Sequence, residues 1–103
     1  MNRSGVRYIT EDFIKISAHE DHLERIKRLN LDCGKDDKQI RYIEHLQNLT
    51  NLNILSLRFH TIEKIEKFDK LVNLRELYLS ENRISKLDGL ENLLYLKVRK
   101  HFH

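Results

Sequence analysis

The sequence predicts an α/β solenoid, in which short parallel β-strands and 3₁₀-like or loosely helical return segments wind behind an N-terminal helical cap. Three observations lead to this prediction. Apolar residues recur with a period of about 22 residues, and within each period their spacing changes from steps of two to steps of three. A stretch with helix-start signals precedes the first period. The chain length of 103 residues is enough for one domain.

The repeat is plainest in the stretch LRELYLSENRISKLDGLENL, residues 74–93. Its seven apolar positions are apolar again one period earlier, in the pairs Leu74 and Leu52, Leu77 and Leu55, Leu79 and Leu57, Ile84 and Ile62, Leu87 and Ile65, Leu90 and Phe68, and Leu93 and Leu71. The alternation around Leu77 and Leu79 predicts a strand with one buried face. The later steps of three predict a 3₁₀-like return. Because one coil cannot shield these side chains, successive coils must stack with parallel strands.

An upstream copy of the repeat carries an insertion. Its return residues precede those of the next copy by one period, and they are Ile40, Ile43, Leu46 and Leu49. Its strand residues lie one period plus four residues before the strand residues of the next copy, and they are Ile26, Leu29 and Leu31. Four extra residues therefore lie within CGKDDKQ (33–39), where Gly34 and its polar neighbours suit a surface loop.

A further copy begins at Leu96 and then fails, because Arg99 and His101 fall where leucines are expected. We therefore expect the chain to end inside a coil, as a fragment of a longer protein, with marginal stability and a tendency to self-associate. The predicted organisation is a lead-in and helical cap at 1–25, about three coils at 26–96, and a divergent tail of an incomplete coil at 97–103.

The bend after each predicted strand needs a partner for buried backbone groups. Asn82 lies at this bend, where a side-chain amide can hydrogen-bond the backbone. The previous copy has His60 at the equivalent position. Two interpretations are open: an imidazole nitrogen replaces the amide, or the bend is looser and His60 points outward.

The lead-in has the signals of a short helix. Thr10 is an N-cap residue with Glu11 and Asp12 in the first turn, and Ile9 can pack on Ile14. Such a helix has two interpretations. It can bind a partner through its apolar side, or it can cover the open end of the first coil, as solenoids require. The second interpretation is favoured.

Composition narrows the function classes. The net charge is +3 and the pI is about 9.1, which is too weak a bias to indicate nucleic acid by itself. The sequence has no apolar run long enough to cross a bilayer and no apolar leader at its start, so neither a membrane span nor a secretory signal is expected. Cys33 is the only cysteine, which fits a reducing compartment such as the cytoplasm.

Residues with catalytic or metal-binding chemistry are present but lack a supporting pattern. The stretch HEDH places His19 and His22 three apart, which differs from the H-E-x-x-H spacing of metalloproteases. The tail HFH (101–103) is equally weak as a metal site. Cys33 with His45 is the one thiol–imidazole combination, and a structural thiol is the simpler interpretation. We predict no enzyme, no cofactor, no metal site and no small-molecule substrate.

The outward residues of the predicted strands form the candidate binding surface. Solenoids of this kind bind protein partners on the concave face of the sheet. The residues expected there are Arg28, Asn30, Asp32, Ile54, Ser56, Arg58, Glu76, Tyr78 and Ser80. Tyr78, Arg58 and Ile54 are of types that contribute most to interfaces. The alternative is a solvated sheet face without a partner.

The coils resemble the 22-residue class of leucine-rich repeats, whose pattern reads L-x-x-L-x-L-x-x-N-x-I-x-x-I-x-x-L-x-x-L. The stretch at 74–93 matches the pattern with Leu87 in place of its second Ile, and LNILSLRFHTIEKIEKFDKL departs at His60 and Phe68. This class is typified by a regulatory subunit of protein phosphatase. The resemblance therefore implies an interaction module, with a phosphatase regulator as the alternative function. Some splicing factors share the class, but Arg28 and Arg58 are balanced by Asp32 and Glu76 on the predicted face, so RNA is disfavoured.

A second resemblance covers residues 5–93. The stretches GVRYITEDFIKI, IKRLNL, KQIRYIEHL and IEKFDKLVNLRELYLSENRISKLDGLENL are similar to the amino-terminal repeat region of the centriolin family. Those proteins are large centrosomal scaffolds. The resemblance implies a non-enzymatic repeat head of a scaffold at the centrosome or centriole, with cytoskeletal partners and a role in cytokinesis. The long coiled coil and the later repeats of that family are absent from this sequence.

Overall fold

The computed structural model describes residues 5–91, 93 and 96–99. One α-helix, α1 (Glu11–Ala18), and a 3₁₀ helix (Leu23–Arg25) lie near the start of this region. The strands are β1 (Val6–Arg7), β2 (Arg28–Asn30), β3 (Gln39–Ile40), β4 (Ile54–Ser56), β5 (Lys64–Ile65), β6 (Glu76–Tyr78), β7 (Lys86–Leu87) and β8 (Lys97–Arg99).

The main sheet confirms the predicted solenoid of parallel strands. Its order is β2-β4-β6-β8, and each neighbouring pair is parallel. Leu29, Leu55 and Leu77 are the middle residues of successive strands, they pair in register, and each is at most 2% exposed. The chain therefore winds as a β-solenoid of about three turns, with one apolar interior.

The return side differs from the predicted 3₁₀-like or helical segments. No helix forms between 33 and 91, all of which the structure describes. Two-residue strands run there instead, with β1 parallel to β3 and β5 parallel to β7. The steps of three become linked turns: the Leu71 amide donates to the Phe68 carbonyl and the Leu74 amide to the Leu71 carbonyl, each at 3.0 Å. These bonds are of the 3₁₀ type, but they recur only at every third residue, so a continuous helix does not form.

Left-handed backbone conformations turn the chain, mostly at residues other than glycine. Phe59 and Glu81 have φ of 67° and 60°, and they occupy equivalent positions of successive coils. His45, Lys67 and Gly89 have φ of 61°, 65° and 72°, and they are equivalent in the same way. Each such conformation costs a non-glycine residue about 1 kcal/mol. The coil geometry therefore repeats even where the sequence shows no turn residue, which explains the scarcity of glycine and proline.

The lead-in packs on the first coil. The Thr10 hydroxyl accepts a hydrogen bond of 3.0 Å from the Phe13 amide, which confirms the predicted N-cap. Ile9 and Ile14 are fully buried in the common core, and α1 packs against β2. Ile16, another apolar residue of α1, is 72% exposed and adds nothing to this core. The pairing of β1 with β3 was not predicted, because two residues carry no periodicity.

The insertion in the first coil lies where the sequence placed it. The step from Arg28 to its partner Ile54 is four residues longer than the step from Ile54 to its partner Glu76. The extra residues form a loop closed by the Gly34 amide, which donates to a carboxylate oxygen of Asp37 at 3.2 Å. A Cβ on Gly34 would lie 2.6 Å from that same oxygen, so a larger residue here would displace the Asp37 side chain and break this bond.

The sequence predicted that the repeat pattern breaks off after Leu96, but the strand of this fourth copy does form. β8 pairs with β6, and Leu77 lies opposite Val98, one residue short of a full period. Val98 therefore takes the core position, and Arg99 points to the opposite face of the sheet. Because this coil is one residue shorter than the others, an alignment with a fixed period of 22 residues does not detect its strand. His101, the other residue of this expectation, lies outside the described residues.

Candidate functional site

The outward residues of the main sheet form one continuous surface, called the sheet face here. Parallel, in-register pairing aligns them in rows that run across the strands, with neighbouring residues of a row about 4.8 Å apart. The strand register gives two such rows, which read Arg28, Ile54 and Glu76, then Asn30, Ser56 and Tyr78. Asp32, Arg58 and Ser80 follow the ends of these three strands. Ser56 was expected to be accessible on this face but is only 7% exposed, because its hydroxyl bonds to Asp32. β8 extends the two rows with Lys97 and Arg99, which sequence reasoning assigned to the divergent tail.

Asp32 links the first two coils on this face. One carboxylate oxygen accepts from the Ser56 hydroxyl at 2.6 Å and from the Arg58 amide at 2.7 Å. The other accepts from Nε of Arg58 at 3.0 Å and from Nη2 at 2.9 Å. Burial by itself raises the pKa of Asp32, but the hydrogen bonds from Ser56 and Arg58 and the guanidinium charge outweigh it, so the pKa lies below its ordinary value of 3.8. Arg58 is thus a structural residue as well as a surface one.

Tyr78 lies at the centre of the sheet face in a defined position. The guanidinium carbon of Arg58 lies 5.7 Å from its ring centre, within cation–π range. Its hydroxyl donates to the Glu76 carboxylate. This hydrogen bond, and to a smaller degree burial and the Glu76 charge, raise the pKa of Tyr78, while Arg99 and Arg58 act in the opposite direction. The middle of the face is therefore ordered before any partner arrives, which lowers the entropic cost of binding.

A groove borders the sheet face on the side of α1. It has a volume of about 400 Å³ and is bounded by Ser17 and Ala18 of the helix and by Arg28, Ile54 and Tyr78 of the sheet. The small helix residues leave the space, and half-buried Ile54 supplies apolar surface. The contribution of α1 could not be predicted, because it depends on how the helix packs against β2.

The opposite end of the sheet face is basic. A hollow of about 560 Å³ is lined by Arg75, Lys97 and Arg99 together with Glu76. Arg75 precedes β6 in the chain, whereas Lys97 and Arg99 belong to β8, so the pairing of the two strands assembles this cluster. Its three cations face one carboxylate that already accepts a hydrogen bond from Tyr78.

The structure decides between the two interpretations of His60. Asn82 accepts from the Ile62 amide at 3.0 Å and donates to the Leu57 carbonyl at 2.7 Å. His60 makes the equivalent bonds one coil earlier: its Nδ1 accepts from the Ile40 amide at 2.8 Å, and its Nε2 donates to the Leu31 carbonyl. The imidazole therefore replaces the amide. Burial lowers the pKa of His60, partly offset by the Leu31 carbonyl and the Asp32 charge.

Cys33 and His45 engage different parts of the backbone. The Cys33 sulfur lies 3.4, 3.5 and 3.6 Å from the carbonyl oxygens of Gly34, Asp37 and Lys38. Burial and, to a smaller degree, the Asp37 charge raise its thiol pKa, which disfavours the thiolate. His45 donates from Nδ1 to the Ile9 carbonyl at 2.9 Å. None of these contacts joins the thiol to the imidazole.

The HEDH stretch ends α1. His19 adopts φ of 54° as the C-cap residue, while His22 precedes the 3₁₀ helix, and both side chains are exposed. The described part of the chain contains no group of three or more His, Cys, Asp or Glu residues arranged to hold a metal ion. The HFH stretch lies outside that part.

Within the described ranges, no helix has the length and apolar character needed to cross a bilayer. A scan of the chain against protein-family models and a search of curated proteins found no match.

Proposed function

We propose that this chain is a non-enzymatic protein–protein interaction module of the leucine-rich repeat type, which binds its partner through the sheet face. One observation carries the proposal. The centre of the face is ordered by the bonds of Asp32 to Arg58 and of Tyr78 to Glu76, while cations at both ends are left for a ligand. An ordered surface with aromatic and arginine residues at its centre has the composition of an interface.

The leucine-rich repeat assignment is supported by the coil itself. The register between β4 and β6 and the ladder position held by Asn82 and His60 correspond to the pattern of that class. The helical cap is supported by the lead-in, since Ile9 and Ile14 cover apolar residues of the first coil that no earlier coil could cover.

The cellular setting follows from the resemblance to the centriolin family. We place the module in a centrosomal or centriolar scaffold that acts in cytokinesis. In support, the lead-in GVRYIT and the lengthened first coil have definite structural roles, as β1 with its pairing to β3 and as the loop closed by Gly34 and Asp37. A tagged copy of the protein should concentrate at centrosomes and the midbody. A diffuse signal through the cell cycle would remove this part of the proposal.

A phosphatase regulator is the alternative function. The repeat pattern at 74–93 motivates it, because that pattern resembles the class typified by a phosphatase regulatory subunit. Purified phosphatase catalytic subunit should then bind the immobilised chain, and absence of binding under low-salt conditions would exclude it.

Photo-crosslinking tests the sheet face as the interaction surface. The photoreactive residue p-benzoylphenylalanine would replace Tyr78 on the sheet face and, as the matched control, Tyr42 in the return segment of the first coil, which is 49% exposed. We expect a discrete crosslinked partner from position 78 and little from position 42. Crosslinks from position 42 alone would place the interface elsewhere.

A further inference from the structure

We infer that the partner segment is an extended acidic peptide, which crosses the sheet face from the groove beside α1 to the basic hollow at β8. The inference rests on the proposed function, to which it adds the chemistry of the partner. It depends on the charges that the fold leaves unmatched and on the groove beside Ile54.

The sheet face and its edges carry more cations than acids. The cations are Arg28, Arg58, Arg75, Lys97 and Arg99, and the acids are Asp32 and Glu76. Both acids are engaged, Asp32 by Ser56 and Arg58, and Glu76 by the Tyr78 hydroxyl.

Of the four cations other than Arg58, three share the single carboxylate of Glu76 in the basic hollow. Among the described residues, Arg58 takes part in an ion pair with Asp32, whereas Arg28, Arg75, Lys97 and Arg99 take part in none. A ligand that approaches this face therefore meets positive potential at both ends, and carboxylates complement it.

The distances suit a short extended segment. Three strand spacings separate β2 from β8, which is about 14 Å. An extended peptide rises about 3.3 Å per residue, so about five residues cross the sheet. Acidic residues at the two ends of such a segment would lie near Arg28 and near Lys97 and Arg99. Its middle would face Ile54 and Tyr78.

The groove adds an apolar requirement. Ser17, Ala18 and Ile54 border a space of about 400 Å³, which accommodates one branched apolar side chain. The expected ligand therefore has a leucine-like residue between acidic residues. A single-stranded nucleic acid fits less well, because Tyr78 is held by Glu76 at its hydroxyl and by Arg58 over its ring, which limits base stacking.

Fluorescence anisotropy with the full chain tests the inference. The probe is a fluorescein-labelled, C-terminally amidated peptide Glu-Glu-Leu-Glu-Glu, and the comparison probes are Lys-Lys-Leu-Lys-Lys, Glu-Glu-Gly-Glu-Glu and an oligouridine. We expect the first probe to bind most tightly and to lose affinity as salt screens the charges. No detectable binding of the acidic peptide, or equal binding of the basic peptide, of the glycine peptide or of the oligouridine, overturns the inference.

Charge-reversal variants locate the site. Arg28→Glu and Lys97→Glu should each weaken binding about tenfold, because reversal replaces one attraction by one repulsion near the protein surface. Lys70→Glu changes the net charge equally on the return side, where Lys70 is exposed, and should change affinity less than about twofold. Equal effects of all three variants would show attraction to net charge alone and overturn the inference. If the acidic peptide fails to bind while position 78 still crosslinks a partner, the inferred acidic peptide is wrong and the proposed function stands. If the peptide binding and the crosslinking both fail, the inference and the proposed function are both wrong.

Discussion

His60 makes the junction between the first two coils sensitive to acid. The imidazole is 4% exposed and joins the Ile40 amide to the Leu31 carbonyl. A neutral imidazole can accept at one nitrogen and donate at the other, but a protonated one has no acceptor. Protonation would therefore leave the Ile40 amide facing another N–H group. The charged groups that line the small cavity beside His60 are Arg7, Asp32, Asp37 and Lys38, of which Asp32 favours the protonated form.

The direction of the pH dependence follows from the lowered pKa of His60. The folded-state pKa lies below the ordinary value of 6.5, so the unfolded chain binds the proton first as the pH falls. The stabilisation is fully present above about pH 6.5 and is lost as the pH falls through that value toward the folded-state pKa. Each pH unit within this window removes up to about 1.4 kcal/mol.

Substitution of His60 separates its hydrogen bonds from its titration. His60→Ala leaves two buried backbone groups without partners, at about 1–3 kcal/mol each, so we expect a loss of about 2–6 kcal/mol in the free energy of unfolding. His60→Asn supplies the acceptor and donor that Asn82 uses one coil later, without a titrating group. It should lose less stability at neutral pH and should flatten the acid dependence.

Urea denaturation followed by circular dichroism, from pH 8 to pH 5, measures both effects. His22→Asn is the matched control, because it makes the same substitution at an exposed histidine that joins no two coils. The reasoning is refuted if the parent chain and His60→Asn lose stability in parallel, or if His60→Ala costs less than about 1 kcal/mol.

Three further changes test the core, the turns and the link across the sheet. Leu79→Ala should cost about 2–5 kcal/mol by opening a core cavity, whereas Val72→Ala, at a side chain that is 57% exposed, should cost less than about 0.5 kcal/mol in the same urea titration. Lys67→Gly should raise stability by about 0.5–1 kcal/mol and Gly89→Ala should lower it by about 1 kcal/mol, since both have positive φ; opposite signs in thermal melts would contradict this account. Asp32→Asn should cost about 1–3 kcal/mol at neutral pH, and because the pKa of Asp32 is lowered, this difference from the parent should shrink as the pH falls below 3.8; a difference that persists in acid titrations would refute it.

Local patterns determined much of the fold. The spacing of the leucines predicted the parallel strands and the single interior, because burial of Leu55 and Leu77 depends only on which side of the chain they occupy. The N-cap at Thr10 could also be predicted from the sequence, because its hydroxyl and the partner amide are only three residues apart. Alternation also predicted the outward direction of Arg28, Ile54 and Tyr78 within the strands, but not the burial of Ser56, which is 7% exposed.

Contacts between distant residues could not be predicted in this way. The role of His60 depends on backbone groups 20 and 29 residues away, and nothing near it in sequence identifies them. The same holds for the pairing of β1 with β3, for the shortened register that brings Lys97 beside Glu76, and for the groove under Ser17 and Ala18.

The sequence alone thus determined which apolar side chains of the coils are buried, since their period sets the side of the chain on which each one lies. Tertiary structure decided which polar groups meet, because hydrogen bonds and unmatched charges on the sheet face depend on how one coil stacks on the next.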